Sequence, residues 1–170
     1  KKNEIIPTFP NAKYFISERN WEAGLNPSKR DQASYIKENY LPLKEFGVLE
    51  IITENSKIID GISTYVVHGH TYGQQLVKIT DKNDTIVFCS DLIPLKSHLK
   101  LPWIMGYDLN ASLTLDEKEK FLNLAVNNNT PITVQLNPDF TVRLIDIGKK
   151  LTQADKTIDQ LNQRFNEGKQ

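Results

Sequence analysis

Three histidines occur in the chain, and two of them share the segment His68-Gly69-His70-Thr71-Tyr72-Gly73. An imidazole at the end of a strand, with glycines that let the loop turn tightly, is well presented to a metal ion. By itself the spacing is a weak signal, because paired loop histidines are more often solvated or hydrogen-bonded than metallated. A second feature is Thr85-Ile86-Val87-Phe88-Cys89-Ser90-Asp91, an apolar run closed by a carboxylate. The C-terminal ends of strands are where α/β proteins tend to place functional groups. The plainer alternative is that Asp91 caps a turn before Leu92-Ile93-Pro94, and the residues alone favour it. Imidazole and carboxylate donors together suit zinc, manganese or iron. Cys89 is the one cysteine of the chain, which excludes an internal disulfide and a cysteine-rich zinc site. No base adjoins it, so it reads as a buried thiol rather than a nucleophile.

Short β-rich runs separated by turn residues must position these groups. Ala12 to Ile16, Val48 to Ile52, Ile62 to Val67, Gln75 to Ile79 and Thr85 to Cys89 are the strand candidates. Asp81 to Asp84 reads as a hairpin turn between the last two. The histidine segment then lies in a strand-to-strand loop, and Asp91 lies just past a strand end. Glu18 to Leu25 reads as a helical turn broken by Asn26-Pro27-Ser28. Asp31 to Phe46 has helical spacing through Ala33, Ile36, Tyr40, Leu43 and Phe46, with a kink or stop expected at Pro42. A further helix is expected from Thr114, where Thr114-Leu115-Asp116-Glu117 fits a capping box, with Phe121, Leu122 and Ala125 as its apolar face. Asn127-Asn128-Asn129 should end it. Ile132 to Leu136 and Thr141 to Ile145 read as strands around an Asn137-Pro138-Asp139 turn. Leu151, Ala154, Ile158, Leu161 and Phe165 form one stripe of an amphipathic terminal helix. Strands and helices mixed in this way point to an α/β layered architecture.

Composition narrows the partners. Lys plus Arg and Asp plus Glu are each 21, so the formal charge is zero and gives no electrostatic reason to expect nucleic acid or an anionic membrane. No apolar run approaches the ~20 residues of a membrane span, and no basic-then-apolar leader opens the chain. A soluble protein of a reducing compartment, the cytoplasm, is the default expectation. The chain opens on Lys1 rather than Met, so a processed N-terminus stays open.

Several segments in order, Phe9-Pro10-Asn11-Ala12-Lys13, Trp21, Asp60-Gly61-Ile62, Gly69-His70-Thr71-Tyr72-Gly73-Gln74 and Ser90-Asp91-Leu92-Ile93-Pro94, resemble the metallo-β-lactamase superfamily. The similarity is greatest to its bacterial branch that includes N-acyl-homoserine lactonases, and it runs from about Phe9 to about Pro138. His98 to Asp108 (HLKLPWIMGYD) belongs to the same match. The resemblance implies the C-terminal half of a four-layer αββα sandwich over residues 1–148, with an amphipathic helix over 149–170 packed on the same domain. It also implies that His70 ligates one metal and that Asp91 bridges two, with zinc expected and manganese or iron as alternatives. His68, just before the motif, reads as an ordinary loop residue. The stretch after Asp91 would line the active-site rim. There His98 is a candidate hydrogen-bond partner or substrate contact and Tyr107 a candidate donor to a substrate carbonyl, with Asp108 beside them. The alternative for all three is core packing beside Trp103.

The family's HxHxDH motif, which supplies most of its other ligands ahead of the Phe-Pro-Asn-Ala segment, does not occur in these residues. A further family histidine, followed by Asp-Pro, is matched here by Leu136-Asn137-Pro138, and leucine has no donor atom. One imidazole and one carboxylate fall short of the three protein ligands of an open zinc site. The expectation is therefore a metal-dependent hydrolase of esters, lactones or amides that is inactive as this chain alone. Activity would need the N-terminal half of the fold, cleaved off or separately encoded, or a second subunit. A lone half should also expose an apolar sheet face. If that face were roughly 600 Å², covering it at ~25 cal/mol per Å² would be worth roughly 15 kcal/mol, as much as a whole domain's stability. The competing expectation is a degenerate, non-catalytic relative used for binding or assembly.

Overall fold

The computed structural model describes residues 5–82 and 84–133, and the backbone of 141–142. The expected terminal helix, the Asn137-Pro138-Asp139 turn and Leu136 lie outside the described residues. Among the described residues, eight strands form two sheets. The smaller pairs β1 (Tyr14–Ser17) with β2 (Leu49–Ile52) in parallel. The larger has the order β3 (Lys57–Ile59), β4 (Ile62–Val67), β5 (Gln74–Asp81), β6 (Asp84–Phe88), β7 (Ile132–Thr133), β8 (Thr141–Val142). Its pairs are antiparallel except β6 with β7, which are parallel and are bridged by the helix α3 (Ala111–Asn127). Parallel neighbours need such a crossover, whereas Asp81 and Asp84 face each other across the tight hairpin foreseen between β5 and β6.

Strand alternation decides which face α3 covers. Tyr65 pairs with Leu76, Lys78 with Val87, and Val87 with Ile132, so these share a face. On it Val67, Leu76, Val87 and Ile132 are buried with Phe121 and Ala125 of α3, and Cys89, Leu92 and Ile93 complete the core. The opposite face carries Ile59, Ile62, Val77, Ile79, Ile86 and Phe88, aligned by the same register. Here Ile59, Ile79 and Phe88 are 58%, 47% and 37% exposed, so an apolar sheet face stands largely open. The small sheet meets this side through the Ser17 amide, which donates to Oε1 of Gln75 at 2.8 Å.

Three expectations about the elements need correction. Residues 31–46 do not form one helix: turns at Asp31–Ser34 and a 3₁₀ turn at Lys37–Asn39 lead into the short α2 (Leu41–Glu45). Pro42 sits in the first turn of α2, where its missing donor costs nothing, so it starts a helix rather than ending one. The aromatic residues of that stretch serve tertiary contacts instead. Tyr40 packs edge-on against Trp21 and its hydroxyl donates to the Gly24 carbonyl at 2.6 Å, both on α1 (Glu18–Leu25). The third helix begins before Thr114, capped by the Asn110 side chain on the Leu113 amide, and Glu117 is therefore free of the expected capping box. Strand β3 was not foreseen, because three residues are too short a run to show alternation.

Candidate metal centre

The loop between β4 and β5 carries His68 and His70 and is held from both ends. Glu117 of α3 accepts the His68 amide at 2.8 Å and the Gly69 amide at 2.9 Å, one per carboxylate oxygen. A Cβ on Gly69 would stand 2.3 Å from the Thr114 backbone nitrogen, so only glycine lets the loop lie against the start of α3. Gly73 has φ +75, and a Cβ there would meet the Asn20 amide nitrogen at 2.6 Å. Ser17, the N-cap of α1, donates its hydroxyl to the Gly73 carbonyl, and Asn20 donates its side-chain amide to the Tyr72 carbonyl at 2.9 Å. Because the atoms crowding Gly69 are backbone, Gly69→Ala should cost about 1–3 kcal/mol, the usual range for overpacking. Urea unfolding should show it as a lower midpoint at unchanged slope.

His68 makes contacts within and beside its own loop. Its Nδ1 accepts the Gly73 amide at 3.1 Å and its Nε2 lies 3.3 Å from Glu54. His70 is different. Its ring is buried, with Nδ1 2.7 Å from Oδ1 of Asp108 and Nε2 3.4 Å from Oδ2 of Asp91. A carboxylate only accepts, so Nδ1 carries the proton and the neutral ring aims the Nε2 lone pair at Asp91, another acceptor. Two acceptors so placed need a proton or a cation between them.

The titration of His70 reflects this. Burial alone would lower its pKa, but the hydrogen bonds and charges of Asp91 and Asp108 outweigh it and hold the pKa above its ordinary value of 6.5. In the metal-free protein the folded state therefore binds the proton more tightly than the unfolded chain. That contribution to stability is full below pH 6.5 and is lost as pH rises through the elevated folded-state value. Thermal unfolding of metal-free protein at pH 5.5 and 8 should show the loss, and His70→Gln should flatten it.

Asp91 lies in a 3₁₀ turn, Ser90–Leu92, directly after β6, and keeps 34% of its side chain exposed. Ser90 before it has φ +48, a left-handed conformation unfavourable for serine, and its hydroxyl accepts from Nε2 of Gln74 at 3.3 Å. Asp108 is buried, and among the described residues its Oδ2 has no hydrogen-bond partner, so it is turned to His70 rather than to solvent. Its loop is joined to the histidine loop by the Leu109 amide on the His70 carbonyl and the Asn110 amide on that of Gly69.

The structure thus brings together His70, Asp91 and Asp108, with Tyr107 at the edge. The Tyr107 ring meets His70 edge-on at 5.8 Å and is 60% exposed, which places it at a rim and not in a core. Trp103, expected as a core neighbour, is 51% exposed beneath the Lys100 ammonium. His98 is half-buried and lies beside Ser97, with Nδ1 3.5 Å from its hydroxyl. Burial and Lys118 lower its pKa, and Asp108 opposes them. Cys89 is wholly buried, which drives its thiol pKa far up and leaves no nucleophile. Sequence reasoning named Asp108 without its task and missed Glu117 and Lys118. Lys118 had one signal: it falls on the helix stripe of Thr114, Phe121 and Ala125, all buried.

Among solved structures the chain resembles a probable metal-dependent hydrolase from Staphylococcus aureus, with TM-score 0.69 and 20% identity over 75% of this chain and 45% of that one. It resembles AidC, a dizinc quorum-quenching lactonase, with TM-score 0.63 and 18% identity over 77% of this chain and 51% of that one. The hydrolase AbOPH of the beta lactamase superfamily gives TM-score 0.63 and 20% identity over 75% and 48%. The chain has part of the metallo-β-lactamase fold. It spans about half the length of these three proteins, and the part it spans is the C-terminal one. No protein-family model and no curated protein matches the sequence, so the likeness is one of fold. Among the described residues no helix is long and apolar enough to cross a membrane.

Proposed function

We propose that this chain supplies one wall of a divalent-metal hydrolase site, with Nε2 of His70 and a carboxylate oxygen of Asp91 as two of its ligands. The observation that carries this is the 3.4 Å approach of two acceptors, one of them on a ring whose other nitrogen is already committed to Asp108. Metal-bound histidines commonly donate their second nitrogen to a carboxylate in this way, which fixes the tautomer and raises ligand basicity. The donor set therefore suits a metal, although among the described residues no third histidine, cysteine or carboxylate joins the pair. Zinc is the first expectation, since a structural neighbour is a dizinc lactonase, with manganese or iron as alternatives. When bound, the ion supplies a Lewis acid and a water acidic enough to attack near neutral pH.

The chain's own residues have distinct tasks. Asp108 holds the His70 ring and its proton, and Asp91 offers an accessible carboxylate. Tyr107 presents a phenol at the exposed edge, suited to donate to the carbonyl of a small ester, lactone or amide. His98, on the 3₁₀ turn Lys96–Leu99 that follows Asp91, is a further rim candidate. The missing ligands would come from a polypeptide covering the open face of Ile59, Ile79 and Phe88, either the N-terminal half of the same fold or a second subunit. A second reading, a non-catalytic binding or assembly module, is favoured by one observation, Leu136 at the position of a family ligand.

Co-expression with an N-terminal half carrying the HxHxDH motif, loaded with zinc or manganese, tests the two. Turnover of lactones or esters that disappears in His70→Ala supports the hydrolase. Stoichiometric metal with no turnover supports the module.

A further inference from the structure

Lys118 is fully buried, yet its ammonium is saturated: Nζ donates to the carbonyls of Lys100, Leu101 and Trp103 at 2.7, 3.0 and 2.7 Å. Those carbonyls lie in an irregular segment with no strand to satisfy them, and an ammonium has one proton for each. The same segment runs on through the Met105 carbonyl, which accepts the Asp108 amide at 3.2 Å, to the carboxylate that holds His70. One residue earlier on α3, Glu117 holds the amides of His68 and Gly69, immediately before His70. Burial draws the Lys118 pKa down to about 8, and the charge of Asp108 opposes it.

We propose that Glu117 and Lys118 are a positioning pair, clamping from one turn of α3 the two loops that bring His70 Nδ1 against Asp108. Adjacent helix residues diverge by about 100°, so one reaches each loop. The circuit is closed, because the Asp108 loop passes through Asn110, the N-cap, into α3 itself. The His70–Asp108 spacing is then held by the helix together with the two direct backbone bonds between the loops, Leu109 to His70 and Asn110 to Gly69. This rests on the reading of His70 as a ligand, but the His70–Asp108 bond can be measured with no metal present.

The test is proton NMR of the His70 ring in the metal-free full chain, in whatever assembly it is isolated, followed by zinc titration. Wild type should show an exchange-protected Nδ1–H. Lys118→Met, which keeps volume but takes the ammonium from three carbonyls and leaves only that of Lys100 with another donor, the Trp103 amide, and Glu117→Gln, which is isosteric and leaves one amide unpaired, should each speed its exchange at least tenfold. Lys118→Arg should restore part of the protection. If Lys118→Met does not fold, Glu117→Gln decides. Folded variants whose Nδ1–H exchanges as in wild type, or a wild type without the protected proton, would overturn the proposal. Where zinc binds, Glu117→Gln should weaken it about tenfold, in the range seen for residues that support a ligand. Protected proton loss without zinc binding by wild type would uphold the clamp and sink the metal reading instead.

Discussion

Asp91→Ala is expected to lower zinc affinity at least 100-fold in the assembled protein, and Asp108→Asn about tenfold to 100-fold. The larger effect follows from removing an ion's ligand outright, the smaller from weakening the group that orients one. Asp91 sits past β6 with a third of its side chain exposed, so its loss leaves the core of Val67, Leu76 and Phe121 untouched. Asp108 is buried, and asparagine keeps its shape while replacing a charged acceptor of the His70 proton with a neutral one. Competition with a chromophoric chelator measures both, with urea melts to confirm that each variant folds. Equal affinities for Asp91→Ala and wild type would remove Asp91 from the site.

The second large effect concerns the open sheet face. If the proposed covering polypeptide seats on this face, Phe88→Asp should weaken assembly with it by roughly 100-fold or more. Covering the exposed third of this phenylalanine is worth only about 0.5–1 kcal/mol, so most of the effect comes from the unpaired carboxylate that assembly would bury, at 1.4 kcal/mol for each factor of ten. Phe88 is 37% exposed and lies beside Val77 on the face away from α3, so the substitution leaves the α3 side intact. Analytical ultracentrifugation of the mixed components reads the change. Unaltered assembly would mean that the partner sits elsewhere.

What could be read from the residues divides along a physical line. Ile62–Val67 and the hairpin around residues 81–84 were visible because their pattern is local: alternation, β-branched residues and a polar turn. His70 and Asp91 were singled out by the family resemblance, since the residues alone favoured a solvated loop and a turn cap, and their meeting in space follows from the register of β4, β5 and β6. The stretch from Asp31 to Phe46 misled because Tyr40, spaced with Ile36 and Leu43 like a helix face, is used against Gly24 and Trp21 of α1. Glu117 misled for a related reason. Its place three residues after Thr114 mimics a capping box, while its actual amides belong to His68 and Gly69. No local pattern announces a carboxylate that serves another loop, and a lysine on a buried stripe is a sign only once the stripe is known to be buried.

The most direct measurement is nitrogen NMR of the His70 ring during zinc titration of the assembled protein. Nε2 should shift with one equivalent of zinc while Nδ1 keeps its proton, and Asp91→Ala should abolish that shift at the same zinc concentration. Stoichiometric zinc with an unmoved Nε2 would place the ion elsewhere and contradict the two-donor site.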